Sequence, residues 1–579
     1  MDYLTSYLPF PKEEQREPME FKIPIQTIDK CYDASENVIN DMELSQGSNA
    51  MYHKIFNMEN SYEKLNTDAL SKYFTDDETF LKDNQTFISE CVPSNINYKT
   101  ITDIVDIRKD IADETGFIEK YDYIEWENLK FLNNNSAFMK YLSLYQIASP
   151  VITLALPIFM LIMPFFIIRL QGVPIGVSKY IEVLKQVLSR HSIGQIFSIG
   201  SASWDKRIYI IFSFLFYLAQ VYWNYQSCLK FIKNFKLIHE KLSITKEYLS
   251  KTSHIMGQTI NNIKHKTLST FNKWSNDIIT AKEYIDSLIE EYDNFTPYRL
   301  SINKVGEIGH LMKSFYKLYN DEYLISVIDY SIKFNAYIRN MNNFNTRITS
   351  KQVTRCTFSN KETKMKKAYY PILVDKNYVA NDIDLSKNII VTGPNAAGKT
   401  TFIKTAMINI LLSQQFGYGF YKKAKINCYQ DLQCYINIPD TSGRDSLFQA
   451  EARRCKNILE NNIDKSNRRF CIFDELFSGT NPYEAIGAAT GFLKYLNNNK
   501  NITFVITTHF LDLCRKMEKD KQIVNLNMEI NSENDDFKYT YRVIQGISSV
   551  KGGIKVLKDL AFPKEIIDEA EKVIDSLNI

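Results

Sequence analysis

Apolar and polar positions along this chain follow three different spacings. From about Cys31 to Lys140, and again from Cys228 to about Asn345, Leu and Ile recur at helical intervals among Lys and Glu, which predicts amphipathic helices. Between them the regime changes. Pro150–Ile168 (PVITLALPIFMLIMPFFII) holds nineteen residues without a charge. As a helix it would be roughly 28 Å long, close to the hydrocarbon thickness of a bilayer. Pro157 and Pro164 would kink it, which membrane helices tolerate. Ile208–Trp223 is a second uncharged run, sixteen residues long. Asp205-Lys206-Arg207 bound one end, and Tyr222, Trp223 and Tyr225 suit an interfacial belt at the other. The two runs predict a transmembrane helical hairpin; the alternative is a pair of helices buried in a soluble core. Between the runs, Ile181, Leu184, Val187 and Leu188 share one helical face, fit to rest on a membrane surface or on the hairpin. From Ala368 onward short β-branched runs alternate with helical stretches, the pattern of an α/β domain.

The chemistry is concentrated in that last part. Ile389-Ile-Val391 predicts a buried strand, and Gly393, Pro394, Asn395, Ala396, Ala397, Gly398, Lys399 and Thr400 follow at once. This is the full G-x-x-x-x-G-K-[ST] spacing. Glycines let the backbone turn its N–H groups toward phosphate oxygens. Lys399 supplies a point charge for the β- and γ-phosphates, and the Thr400 hydroxyl suits Mg²⁺. Thr401–Leu412 predicts a helix whose positive end faces the anion. Arg469–Phe473 is another apolar strand, ending in Asp474 and Glu475. Asp474 fits a second Mg²⁺ anchor, and Glu475 can polarise a water. Asn501–Thr508 predicts a further strand with His509 at its carboxyl end, where ligands gather in such sheets. His509 there can sense the γ-phosphate or the water.

Two other features stay open on sequence alone. Phe117-Ile118-Glu119 is either a base-wedging Phe-x-Glu or a coincidence in a chain with 36 Phe. Lys251–Lys273 contains four lysines and no carboxylate, so it either follows a phosphate backbone or is a solvated face.

A length of 579 residues exceeds a single core, and 45% hydrophobic content is ample for folding. The net charge of +3 neither demands nor excludes nucleic acid. Nine cysteines without a C-x-x-C pair, behind an N-terminus with no secretory pattern, predict reduced thiols and an intracellular setting.

Taken in order, these motifs resemble the MutS mismatch-repair ATPases from about Tyr369 to the C-terminus. Tyr369-Tyr-Pro371 and Tyr378–Asp382 are similar to the family's approach to the phosphate loop, Thr392–Thr401 to its TGPNxxGKST, and Asp474–Asn481 to its DE-x-x-x-GT. Thr507-Thr-His509 matches its TH, and Gly552–Ala570 resembles its dimerising tail. Tyr73-Phe-Thr75 and Phe80–Gln85 resemble a membrane-segment-bearing branch of MutS-like proteins. The resemblance implies that Tyr378 stacks on adenine and that Ser446, in the Ser446–Glu451 segment, completes the partner's site. That segment departs from the family at Arg444 and Leu447. It also implies ATP and Mg²⁺ as ligands, a homodimer, and a duplex, mismatched or branched DNA partner. No mismatch-reading domain is recognisable.

The expected organisation is a helical, MutS core-like region (1–140), a transmembrane hairpin (141–225; runs about 150–168 and 208–223), a helical lever and basic linker (226–367), and a P-loop ATPase domain of the ABC/MutS type (368–579). The expected location is an intracellular membrane with the ATPase facing the cytosol. If the apolar runs are core helices, the chain is instead soluble, cytoplasmic or nuclear. A membrane-bound mechanical ATPase without DNA is the rival function.

Overall fold

The structure, a computed structural model, describes the chain apart from residues 1–15, 48–49, 94–95, 173–175, 191–198, 202, 299–301, 437, 439–445, 461–465, 534–535, 549–553, 555–556, 559 and 577–579. Side chains are also left undescribed at 157, 158, 160, 161, 164, 177, 187–190, 201, 302–303, 532–533, 536–537 and 574–575. Arg444, Gly552, and the side chains of Pro157, Pro164, Val187 and Leu188 therefore lie outside the described residues. Two compact units interleave along the chain. The first comprises Met1–Glu20, Ile96–Ser253 and Glu283–Asp329; the second comprises Phe21–Asn95, His254–Lys282 and Tyr330–Ile579.

The first unit is helical. Its long elements are α1 (Ser136–Leu170), α2 (Val177–Arg190), the first part of α3 (Trp204–His265) and α4 (Ile302–Asn320). Asn135 caps α1 by accepting from the Phe138 N–H at 3.0 Å. α4 crosses the start of α1 at Gly309, where an added Cβ would fall 1.9 Å from the Ser136 carbonyl oxygen. Only glycine fits that approach. Phe117 is buried, its ring 4.1 Å from Tyr319 and 5.4 Å from Phe315. It is a core residue, so the base-wedge reading of Phe117-Ile-Glu falls.

α1 and α3 lie side by side and antiparallel. Asn224 donates to Thr153 Oγ1 at 2.6 Å, Tyr217 donates to the Thr153 carbonyl at 3.3 Å, and Cys228 Sγ lies 3.5 Å from the Ile147 carbonyl. This register places Tyr222, Trp223 and Tyr225 beside the start of the charge-free run. Arg169 and Arg207 then close its other end, each about 27 Å along its helix. The apolar side chains of both runs face outward: Val151 is 67% exposed, Phe159 62%, Phe212 69% and Trp223 61%. Most of these side chains are therefore not covered by this chain itself, although Ile210 is buried. α3 is, among the described residues, the helix long and apolar enough to cross a membrane by itself.

The second unit is built on a six-stranded mixed sheet. Its strands are β1 (Asn388–Thr392), β2 (Asp431–Tyr435), β3 (Arg469–Asp474), β4 (Ile502–Thr507), β5 (Ile523–Glu533) and β6 (Asp536–Gln545), in spatial order β2-β3-β4-β1-β5-β6. All neighbours are parallel except β5 and β6, which form an antiparallel hairpin. β1 is buried along its whole length, as its continuous apolar run requires. The helices α5 (Lys399–Phe416), α6 (Leu447–Glu460) and α7 (Pro482–Asn497) follow β1, β2 and β3 respectively.

The N-terminal segment of this unit grips the end of α5. Gln414 Nε2 donates to the Thr75 carbonyl at 3.0 Å, and Gln415 Nε2 to those of Leu70 and Tyr73 at 2.8 Å. Asn84 and Gln85, on the helix Glu78–Ser89, donate to the carbonyls of Gln415 and Gly417 at 2.8 and 2.6 Å. These amides are buried, and each contact satisfies a polar group that burial would otherwise penalise.

Candidate nucleotide site

Three adjacent strands, β3, β4 and β1, deliver the chemistry from their carboxyl ends. β1 leads into Gly393–Gly398, and α5 begins at Lys399. Two glycines make the turn possible. Gly393 has φ +151° and Gly398 φ +97°, and a Cβ on Gly393 would sit 3.0 Å from Met528 on β5. Ala396 also takes a positive φ of 62°. With Gly398 as its cap, α5 points its first free N–H groups at this loop, an arrangement suited to anions.

The side chains converge. Lys399 is 5% exposed, and its Nζ donates to the carbonyls of Gly393 at 3.0 Å and Pro394 at 3.2 Å. It also lies 3.8 Å from Glu475 Oε1. Burial lowers its pKa, against the opposing charges of Glu475 and Asp474. Thr400 donates to Asp474 Oδ2 at 2.8 Å, while Thr507 donates to Asp474 Oδ1. His509 Nε2 stands 2.9 Å from Glu475 Oε1 and 3.0 Å from Lys399 Nζ. Protonated at Nε2 it donates to Glu475; otherwise it accepts from Lys399. The Glu475 carboxyl is held below its ordinary value, first by the bond from His509, against burial, and then by the charges of His509 and Lys399.

Of these groups Lys399, Thr400 and Glu475 border a cavity of about 530 Å³, within the range of small-molecule sites, while Asp474 and His509 stand behind them. Pro394–Ala396, Gly398–Thr401 and Glu475 form one wall, and Tyr370, Leu373, Val379, Asn381 and Tyr541 form the other. The hydroxyl of Thr400 beside the Asp474 carboxylate is a hard-oxygen pair, the donor chemistry that Mg²⁺ takes.

Two residues expected near the ligand have other contacts. The Tyr378 ring stacks on Tyr369, centroids 3.9 Å apart and planes at 12°, while its neighbours Asn377 and Val379 line the cavity. Ser446 forms a capping box at the start of α6: it accepts from the Gln449 N–H at 3.3 Å, and its own N–H donates to Gln449 Oε1 at 3.0 Å. The Lys251–Lys273 stretch is not a bare basic strip either, since Lys251 pairs with Glu247 and Lys266 with Glu90, both at 2.6 Å.

Sequence reasoning missed Tyr541 and Asn381. Tyr541 reaches the loop from β6; its ring would lie 3.2 Å from a Cβ on Gly398. Asn381 fixes it by donating to the Tyr541 carbonyl at 3.0 Å and accepting from the Val543 N–H at 2.9 Å. No local pattern marks either residue, because the pairing spans 160 residues.

Comparison with known proteins bears on this same region. Residues 389–578 match the family model of MutS domain V. Relatives named DNA mismatch repair protein MutS include that of Fusobacterium nucleatum, 27% identical over 60% of this chain and 38% of the relative. That of Persephonella marina is 29% identical over 37% of this chain and 25% of the relative. That of Caldanaerobacter subterraneus is 24% identical over 60% and 39%. The chain thus spans about two fifths or less of the length of these curated relatives.

Proposed function

This chain belongs to the MutS family through its C-terminal domain, and from that premise we propose that it is a Mg²⁺-dependent ATPase which binds DNA as a homodimer and is held at a membrane by the α1–α3 hairpin. One observation supports the ATPase reading: Lys399, Thr400 and Glu475 line one cavity, and Asp474 and His509, at the ends of β3 and β4, contact them directly. In this reading the Gly393–Thr401 loop and Lys399 hold the phosphates. Thr400 and Asp474 would hold Mg²⁺, which would supply charge neutralisation at the phosphoryl oxygens. Glu475 takes the proton of the attacking water, and His509 orients that carboxylate. Tyr541 lies against the phosphate loop at Gly398, and Val379 lines the cavity with Tyr378 close behind. Ser446 contributes to the neighbouring protomer's site, leaving its capping role when it does so.

The DNA partner follows from the relatives' name. The membrane rests on the outward apolar faces of α1 and α3 and on the matched 27 Å spans (about the bilayer core). Those same helices favour the second reading, a membrane-bound mechanical ATPase without DNA.

The deciding experiment is the ATPase rate of the full chain in detergent, with and without duplex, mismatched and branched DNA, across a salt series. Stimulation that fades with salt supports the DNA reading, because phosphate contacts release counterions. A rate indifferent to every DNA leaves the mechanical reading. Lys399→Ala should abolish nucleotide binding. Glu475→Ala should retain binding and lose hydrolysis by roughly 100-fold or more. Near-normal turnover in either variant refutes the site. Release of the chain from membranes by alkaline carbonate would refute the anchor.

A further inference from the structure

One buried carboxylate beside the site has no part in the reading above. Glu451, on α6, is 2% exposed. Its Oε1 accepts from the Ser478 N–H at 3.0 Å and the Ser478 hydroxyl at 2.9 Å, and its Oε2 from the Gly479 N–H at 3.2 Å. Three donors on two consecutive residues make this a clamp on the loop that leaves Glu475.

That loop needs a clamp. Glu475 and Phe477 have φ of 53° and 59°, in the left-handed region that side-chain-bearing residues rarely adopt. Such conformations persist only where the surroundings over-determine them. On the upstream side the Glu475 N–H donates to the Thr507 carbonyl and hydroxyl, both at 3.2 Å. On the downstream side the polar hold is Glu451. The seam is also closed sterically. A Cβ on Gly479 would lie 2.7 Å from Leu447 Cγ and 2.8 Å from the Phe448 nitrogen, and the Phe448 and Phe477 rings pack at 5.5 Å. The loop therefore cannot shift without α6, whose first turn is capped by Ser446.

We propose that Glu451 is a positioning residue for hydrolysis. It fixes Leu476–Gly479 so that the Glu475 carboxylate stays aimed at His509 and the cavity, and it couples that aim to the helix capped by Ser446. Anything that draws on Ser446 from a neighbouring protomer would then be felt at Glu475. This inference rests on the ATPase reading, with Glu475 as the water-activating group.

The test compares Glu451→Gln and Glu451→Asp with the full-length wild type in detergent, measuring ATP affinity and single-turnover hydrolysis separately. Gln keeps the shape but turns an N–H₂ toward backbone donors; Asp keeps the charge but retracts it. Misaiming Glu475 by about 1 Å should slow hydrolysis roughly 100-fold in Glu451→Gln, with ATP affinity within about twofold and a smaller loss in Glu451→Asp. In a Glu475→Gln background, adding Glu451→Gln should cost nothing more, because the group it aims is already gone. Wild-type hydrolysis in Glu451→Gln overturns the proposal, as does a loss of ATP affinity that matches the loss of rate or persists in the Glu475→Gln background. Normal hydrolysis in Glu475→Gln alone would instead sink the underlying assignment of the water-activating group.

Discussion

At the scale of single residues, the contacts of Glu475 keep its carboxyl ionised well below neutral pH. The bond from His509 is the largest influence on Glu475, and it pulls the carboxyl below its ordinary 4.5. A lowered pKa keeps the ionised form populated to more acid conditions, and its contribution is lost only as pH falls through that depressed value. Removing the donor must therefore raise it. In His509→Ala the carboxylate limb of the pH–rate profile should move to higher pH as the plateau falls; a limb that stays put would dissociate His509 from Glu475. Lys399 shows the converse effect. Burial disfavours its charge, which a polyphosphate beside it would restore. Legibility at this scale followed contiguity. Lys399, Thr400, Asp474 and Glu475 sit inside short motifs whose spacing carries their roles. Glu451, Asn381 and Tyr541 act through contacts that only tertiary packing creates.

At the scale of elements, hydrophobic periodicity anticipated β1, β3, β4 and the apolar halves of α1 and α3, since each is one uninterrupted run. The environment of those runs was another matter. A charge-free stretch suits a buried helix and a lipid-facing one equally, and the exposure of Val151 and Phe212 shows only that this chain does not cover them. Phe117 ran the other way, an apparent motif that packing absorbed into an aromatic cluster. The junction of α5 with the N-terminal helix Glu78–Ser89 gives the sharpest element-level prediction. Gly417 ends α5 at φ +74°, and an added Cβ would fall 2.3 Å from Gln85 Cγ. Gly417→Ala must both strain the cap and push Gln85 from its bonds, a destabilisation of about 1–3 kcal/mol. Thermal unfolding followed by circular dichroism should show a melting point several degrees lower; an unchanged melting point would mean that the helix Glu78–Ser89 gives way freely.

At the scale of the whole molecule, the second unit does not coincide with the α/β stretch that begins at Ala368, because Phe21–Asn95 is part of it. A fragment of residues 368–579 would lose the carbonyls of Leu70, Tyr73 and Thr75 that satisfy Gln414 and Gln415. Gln414 would keep its bonds to Tyr429, but Gln415 would lose its partners, and each lost net bond costs about 0.5–1.5 kcal/mol, enough to matter against a marginal total. Such a fragment should aggregate, or exchange its amide hydrogens rapidly over 405–417, and residues 21–95 supplied in trans should slow that exchange. Slow exchange in the fragment alone would show the grip to be dispensable. The same grip sets a timetable for synthesis. Gln414 and Thr75 are 339 residues apart, so at roughly 5–20 residues per second a ribosome takes some tens of seconds to deliver the second after the first. Throughout that interval the N-terminal helices wait without their partner, while both apolar runs have already emerged. A nascent chain of this protein would thus expose two long hydrophobic segments well before its six-stranded sheet exists.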